Sequence, residues 1–268
     1  MVCRISFASG RLALIAGAFI ALAAAGAEAQ LVTYDDFSAA LLDQTKWSGR
    51  QLDVRVGGTG TDLETRRDVQ AGKLLMEMRA VGGAASNSGR YFSENTLQFR
   101  NPDPLTEIAF RVRVQQFEVS GCPAGPASFA VARGVYSFFS DGAGDVVAFV
   151  EVRRSSVSTA PATELEVIGY LIHRTASGDS LLGFGLLGTA TVGQAVKLRT
   201  KWDQINQLVE FQRGTDPAVT IPYSQTVMSP PSVRTKLLGA LGLVSDCLTG
   251  PVPNARMLAV FDNVLVNQ

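Results

Sequence analysis

Residues 195–213 read AVKLRTKWDQINQLVEFQR, and the way this stretch alternates decides how the rest of the chain is read. Val196, Leu198, Thr200 and Trp202 share one parity, whereas Lys197, Arg199 and Lys201 share the other. A helix would scatter the two sets around its axis; a pleated strand sends them to opposite faces. Past Asp203 to Asn206 the alternation resumes in QLVEFQR, so the segment predicts an antiparallel hairpin with Trp202 on its buried side.

The same period of two recurs in both directions from the hairpin. In KLLMEMRA (73–80), Leu74, Met76, Met78 and Ala80 oppose Leu75, Glu77 and Arg79; in EIAFRVRVQ (107–115), Ile108, Phe110, Val112 and Val114 oppose Ala109, Arg111, Arg113 and Gln115. Further strands are predicted at 31–37, 50–56, 63–70, 91–100, 127–139, 146–154, 164–172, 181–187, 206–213, 218–222, 236–245 and 256–266. Turn clusters such as VGGTGTD, RNPDP, SDGAGD and SPPS separate them. No window of ten or more residues carries a 3.6-residue apolar period, and SAALLDQTKW (38–47) predicts one helical turn at most. The pattern specifies an all-β fold, with the strand spacing of a β-sandwich or a barrel.

One motif argues for something else. Residues 183–188, GFGLLG, match the G-x-G-x-x-G fingerprint of a dinucleotide-binding loop. That loop must open a helix whose N-terminus faces the pyrophosphate, with an acidic residue about 20 positions on. Here TATVGQAVKLRTKW follows, which is strand pattern, and Asp203 falls in the hairpin turn. The glycines therefore puncture a β-segment and mark no nucleotide site.

Residues 1–29 read as a secretory signal peptide. Arg4 and Arg11 form its basic region, Leu12 to Ala25 its apolar run, and Ala27-Glu28-Ala29 a signal-peptidase site, so cleavage is expected before Gln30. The apolar run is about 14 residues, short of a bilayer span, and no later stretch approaches that length without a charge or proline. Residues 30–268 are then one domain, secreted or periplasmic, with no membrane span. Two of the 24 Lys and Arg and one of the 24 Asp and Glu leave with the signal, so 22 positive charges face 23 negative ones. Such a balance provides no long-range field for a polyanion and excludes nucleic acid as the partner class.

The ends of the exported segment carry three cues: YDDFS (34–38) with Trp47 soon after, the 195–213 hairpin, and a closing FDNVLV (261–266). With them the chain resembles the concanavalin A-like lectin/glucanase superfamily, specifically the laminin-G-like jelly rolls of secreted bacterial proteins. The resemblance implies two packed antiparallel sheets of six or seven strands, adjacent first and last strands, and a carbohydrate or other extracellular ligand. It also makes Asp36 and Asp262 candidate ligands of a structural calcium ion, no other cofactor being required. The alternative is that each caps a turn or accepts from a nearby amide.

Glucanases of this superfamily carry E-x-D-x-x-E on one strand, and the nearest stretch here, Glu164-Leu165-Glu166-Val167-Ile168-Gly169, lacks both the aspartate and the last glutamate. Jelly-roll alginate lyases have Q-I-H where this chain has Leu171-Ile172-His173, and their Y-x-K-A-G motif has no counterpart here. No catalytic residue is therefore assigned. Candidate ligand-binding residues are Tyr91, Tyr136 and Tyr170 on strands, with Arg111, Arg113, Glu151 and Arg153 on polar faces; the arginines either line a site or form a solvated surface. The expected function is a secreted non-catalytic binding module. The alternatives are a polysaccharide-active enzyme with an atypical site and a structural envelope or matrix protein.

Two cysteines remain after signal removal, Cys122 in GCPAGP and Cys247 in SDCLTGP, each followed by C-x-x-G-P punctuation. A disulfide between them is expected in an oxidising compartment, two buried thiols being the alternative. It would close a loop of about 125 residues, for which chain entropy allows up to ~5 kcal/mol. Reduction is expected to lower the Tm by several degrees in a calorimetric scan, and an unchanged Tm would exclude the bridge.

Overall fold

In a computed structural model the 195–213 hairpin is present: Ala195–Asp203 and Leu208–Arg213 pair antiparallel, with Trp202 opposite Val209. Asp203 sets the turn. Its Oδ1 accepts the N–H groups of Ile205 and Asn206 at 3.1 and 3.0 Å, and its Oδ2 accepts the Asn206 side-chain amide at 2.7 Å. The structure describes residues 30–48, 52–58, 61–82, 91–102, 104–121, 129–137, 146–175, 178–224, 236–245 and 254–267. For 52–58, 61–64, 80–82, 91–94, 135–137, 175, 178 and 236–245 it describes the backbone alone.

Sixteen strands are described: β1 (Leu31–Asp35), β2 (Trp47–Ser48), β3 (Leu52–Gly58), β4 (Thr61–Gln70), β5 (Lys73–Gly82), β6 (Tyr91–Phe99), β7 (Glu107–Val119), β8 (Phe129–Ser137), β9 (Val146–Ser155), β10 (Glu164–Thr175), β11 (Gly178–Thr191), β12 (Ala195–Asp203), β13 (Leu208–Arg213), β14 (Val219–Pro222), β15 (Lys236–Ser245) and β16 (Ala255–Asn267). Nine form one sheet in the order β14-β13-β12-β7-β16-β5-β4-β3, with β1 on β16; seven form the other, β11-β10-β9-β8-β15-β6-β2. The larger sheet exceeds the six or seven strands that the resemblance implied, because β16 pairs with both β5 and β1 along its length. The segment at 38–47 forms bends and a turn with no helix. Among the described residues no helix is long and apolar enough to cross a membrane.

The two sheets close on a shared apolar layer made of the parities read from the sequence: Leu74, Met76 and Met78 of β5, Phe110 and Val112 of β7, Leu198 and Trp202 of β12 are all buried. Facing them, the smaller sheet contributes Ala130, Ala132, Ala148, Val150, Val167 and Leu171. Large residues of one layer fit over glycines of the other. A Cβ on Gly134 would lie 2.5 Å from the Phe110 ring, one on Gly169 would overlap Phe211, and one on Gly183 would lie 2.7 Å from Ile221 Cγ2. Gly185 meets Val219 in the same way. This answers the GFGLLG motif: Gly183 and Gly185 let β14 approach β11, while Gly188, at φ +110°, occupies a bulge where the β10–β11 register shifts.

The YDDF…W cue also has a physical basis. Asp35 is buried and accepts the Phe37 N–H at 2.9 Å and the Trp47 indole N–H at 2.6 Å. That second bond joins β1 of the larger sheet to β2 of the smaller one. Tyr34 donates to the Lys46 carbonyl, and the Trp47 ring contacts Tyr34 edge-on at 5.2 Å and Phe37 in a stack at 5.9 Å. Phe37 has φ 54°, a left-handed conformation costly for an aromatic residue and held here by the ring stack and the Asp35 bond. As expected, β1 pairs with the last strand, Leu31 opposite Asn267 and Val32 opposite Val266.

Cys122 and Cys247 lie outside the described residues, but the described residues flanking their segments adjoin. Ser120 N donates to Asn254 O at 2.9 Å, Asn254 N donates to Ser120 Oγ at 2.7 Å, and Phe129 is the register partner of Val244.

Gly169→Ala should destabilise the domain by about 1–3 kcal/mol through overpacking against Phe211. Phe211→Leu added to it should recover part of that loss. Urea titrations of the four-member cycle read the coupling, and additive penalties would show that the two residues do not press on each other.

Candidate functional site

Inward glycines and alanines on β8 to β11 leave the bulky residues of these strands on the opposite, outer surface. On β9 the outward set is Val147, Phe149, Glu151 and Arg153; on β10 it is Glu164, Glu166, Ile168, Tyr170 and Ile172. Register then assembles rows across the strands: Arg153 beside Glu166, Glu151 beside Ile168, Phe149 beside Tyr170. On the edge strand β11, Phe184 continues the tyrosine row and Leu186 the Ile168 row. Phe184, Leu186 and Leu181 are 60%, 61% and 55% exposed, an apolar strip that water penalises.

The Tyr170 and Phe184 rings lie 6.0 Å apart at 33°. Beside them Arg153 holds the polar part of the surface together. Its Nε donates to Glu166 at 3.0 Å, its Nη1 lies 3.7 Å from Glu151, and its guanidinium sits 4.7 Å from the Phe129 ring centre and 5.2 Å from that of Tyr170. Arg133 lies 4.6 Å over Phe149 on the far side of Glu151. Burial pushes the Glu151 carboxyl above the usual carboxylate range; Arg133 and Arg153 oppose that shift and Glu166 adds to it. Burial likewise raises the Tyr170 phenol.

Three of the residues chosen from the sequence, Glu151, Arg153 and Tyr170, thus share one surface. Glu151 differs from the polar-face expectation in being buried, because two arginines and Phe149 crowd it. Arg111 and Arg113 project from β7 on the outer surface of the other sheet. Tyr91 and Tyr136 lie in β6 and β8, and their side chains are outside the described residues. Phe184, Phe149, Phe129, Arg133 and Glu166 were missed. The signal for Phe184 was the Gly-Phe-Gly alternation itself, which puts small residues inside and the ring outside.

Asp36 Oδ1 accepts its neighbour's Ser38 N–H at 3.0 Å, and Asp262 Oδ2 holds Lys73 Nζ at 2.6 Å. Calcium takes six to eight oxygen ligands, whereas no group of three or more His, Cys, Asp or Glu gathers among the described residues. In this structure Asp36 caps a turn and Asp262 forms an ion pair. His173 has the parity of the buried Leu171, so it leaves β10 on the side opposite Tyr170. On the outer side of β10 the alternate positions are Glu164, Glu166 and Ile168, and Gly169 is the residue beneath Phe211. Arg153 stands between Glu151 and Glu166, so the two carboxylates form one neutralised network.

No family model matches the chain, and none of the curated proteins does. Among solved structures it is similar to a laminarinase from Flavobacterium, at 13% identity over 89% of this chain and 100% of that one, with a TM-score of 0.42. An alginate lyase from Klebsiella pneumoniae is similar at 9% identity over 82% and 86%, with a TM-score of 0.38. A winged bean acidic lectin complexed with methyl-α-D-galactose is similar at 10% identity over 90% and 100%, with a TM-score of 0.36.

Because the folded-state pKa of Glu151 is raised, the group favours the folded state most below the ordinary carboxylate range. That contribution is lost as pH rises through the raised value. Glu151→Gln should therefore flatten the pH dependence. The Tm of the wild type should fall relative to the variant as pH rises from the ordinary carboxylate range through the raised value, and parallel curves would show that Glu151 titrates normally.

Proposed function

We propose that the protein is a carbohydrate-binding β-sandwich that works outside the cytoplasm and contacts sugar through the outer surface of its seven-stranded sheet. The observation that carries this is the Tyr170–Phe184 pair, with Phe184 60% exposed on an edge strand beside the Arg153 network. A pyranose ring has an apolar C–H face and a rim of hydroxyls. Aromatic rings take the first, and charged groups already fixed by their neighbours take the second at low entropic cost. Export, expected from residues 1–29, puts such a surface where polysaccharides are met.

A polysaccharide-cleaving reading draws on Glu151, a buried carboxyl with a raised pKa near a second carboxylate, which is the pattern of a general acid. Binding ranks above it because Arg153 occupies the space between the two carboxylates.

Affinity electrophoresis against a panel of neutral and acidic polysaccharides, with and without calcium, tests the reading. Tyr170→Ala and Phe184→Ala should each weaken retention by about two- to twelvefold, the worth of one aromatic contact. Thermal stability should be little changed in the Phe184 variant because that ring is exposed. Retention unaffected by either change would sink the proposal. New reducing or unsaturated ends, lost in Glu151→Gln, would replace it with the enzymatic reading.

A further inference from the structure

The outer surface of the nine-stranded sheet is organised differently. Several of its cations are matched to carboxylates: across the strands Arg256 with Glu77 at 2.6 Å, Lys73 with Asp262 at 2.6 Å and Arg199 with Glu107, and within β4 Arg66 with Asp68 at 3.3 Å. Arg111 and Arg113 are not among them. They stand two residues apart on the same side of β7, and neither has a carboxylate partner among the described residues. Asp262 is the register neighbour of Arg111, but its carboxylate is taken by Lys73. On the other side Arg111 pairs in register with the exposed Lys197. Like charges directly opposite each other destabilise a sheet, so the arrangement is a cost that folding alone does not explain.

The cations also surround a space. Arg113 is flanked by the short side chains of Ala195 and Val260, and a shallow cleft of about 90 Å³ opens between Lys73, Arg111, Arg113, Ala195, Val260 and Asp262.

We propose that this cleft is a binding site for a single oxyanion group, a carboxylate or sulfate ester, carried by an acidic polysaccharide. Two arginines lining one small space suit a planar or tetrahedral oxyanion, which guanidiniums meet with paired N–H donors. The matched ion pairs on either side confine the positive field to one spot. With 22 positive charges against 23 negative ones in residues 30–268, the chain offers no long-range field to a nucleic acid strand. An acidic glycan spaces its charges by whole sugar rings and places one in the cleft. The glycan assignment rests on the carbohydrate reading above; the oxyanion site itself does not.

The test is titration calorimetry on the full exported chain with inorganic sulfate, a uronic-acid oligosaccharide, a sulfated oligosaccharide and a neutral one of equal length. The acidic oligosaccharides should bind at least tenfold tighter than the neutral one, and the carboxylated and sulfated arms distinguish the two sources of the oxyanion. Arg111→Gln or Arg113→Gln should remove most of that preference, whereas Arg66→Gln, which deletes the same charge from a matched pair on the same sheet, should change it less than twofold. Asp262→Asn frees Lys73 and should tighten acidic ligands several-fold. Tyr170→Ala should leave the acidic-over-neutral ratio unchanged, which separates this site from the aromatic surface. No acidic preference, an equal loss in Arg66→Gln, or a single-stranded oligonucleotide binding as tightly as the acidic glycans would each overturn the proposal.

Discussion

Phe211 resting on Gly169 is the contact on which the arrangement of the smaller sheet depends, together with Phe110 on Gly134 and Ile221 on Gly183. Interiors pack to crystal-like density, so a large ring on one layer needs an absence on the other. Placing the absences on β8, β10 and β11 brings β13 and β14 close and fixes which parity of those strands points inward. The outward parity follows with no further freedom, because a strand offers only two faces. Tyr170 and Phe184 point outward as a consequence of where Gly169, Gly183 and Gly185 are needed.

At the other end of the sandwich a polar contact has the equivalent role. Asp35 ties the Phe37 amide and the Trp47 indole into one buried cluster, and the tryptophan carries β2 while the aspartate ends β1. A buried carboxylate is costly unless its lone pairs are used, and here they accept two N–H donors with Lys46 3.8 Å away. The first strand is thereby held against β16, whose terminal half would otherwise have an open edge.

The two outer surfaces treat charge in contrasting ways. On the seven-stranded sheet one guanidinium gathers two carboxylates and two aromatic rings, so polar and apolar groups interlock and the apolar strip of Leu181, Phe184 and Leu186 is left at the margin. On the nine-stranded sheet charges neutralise each other in cross-strand pairs, with a gap at Arg111 and Arg113. One surface suits the uncharged face of a ring and the other a lone anion.

The alternation in AVKLRTKW, KLLMEMRA and EIAFRVRVQ was enough to specify strands, their buried parity and the 195–213 hairpin, because those are properties of a residue and its nearest neighbours. Trp202 was legible as core for the same reason, and it is buried. Parity says that Arg111, Arg153 and Tyr170 face outward from a buried layer. It does not say from which layer, and the structure puts Arg111 on one sheet and the other two on the opposite one. Sequence by itself therefore determined the material of this protein, pleated two-faced strands. Only the tertiary structure decided which strands lie side by side, since that choice is made by contacts such as Phe211 with Gly169, Lys73 with Asp262 and Asp35 with Trp47, whose partners are set by chain crossovers and by volume rather than by local pattern.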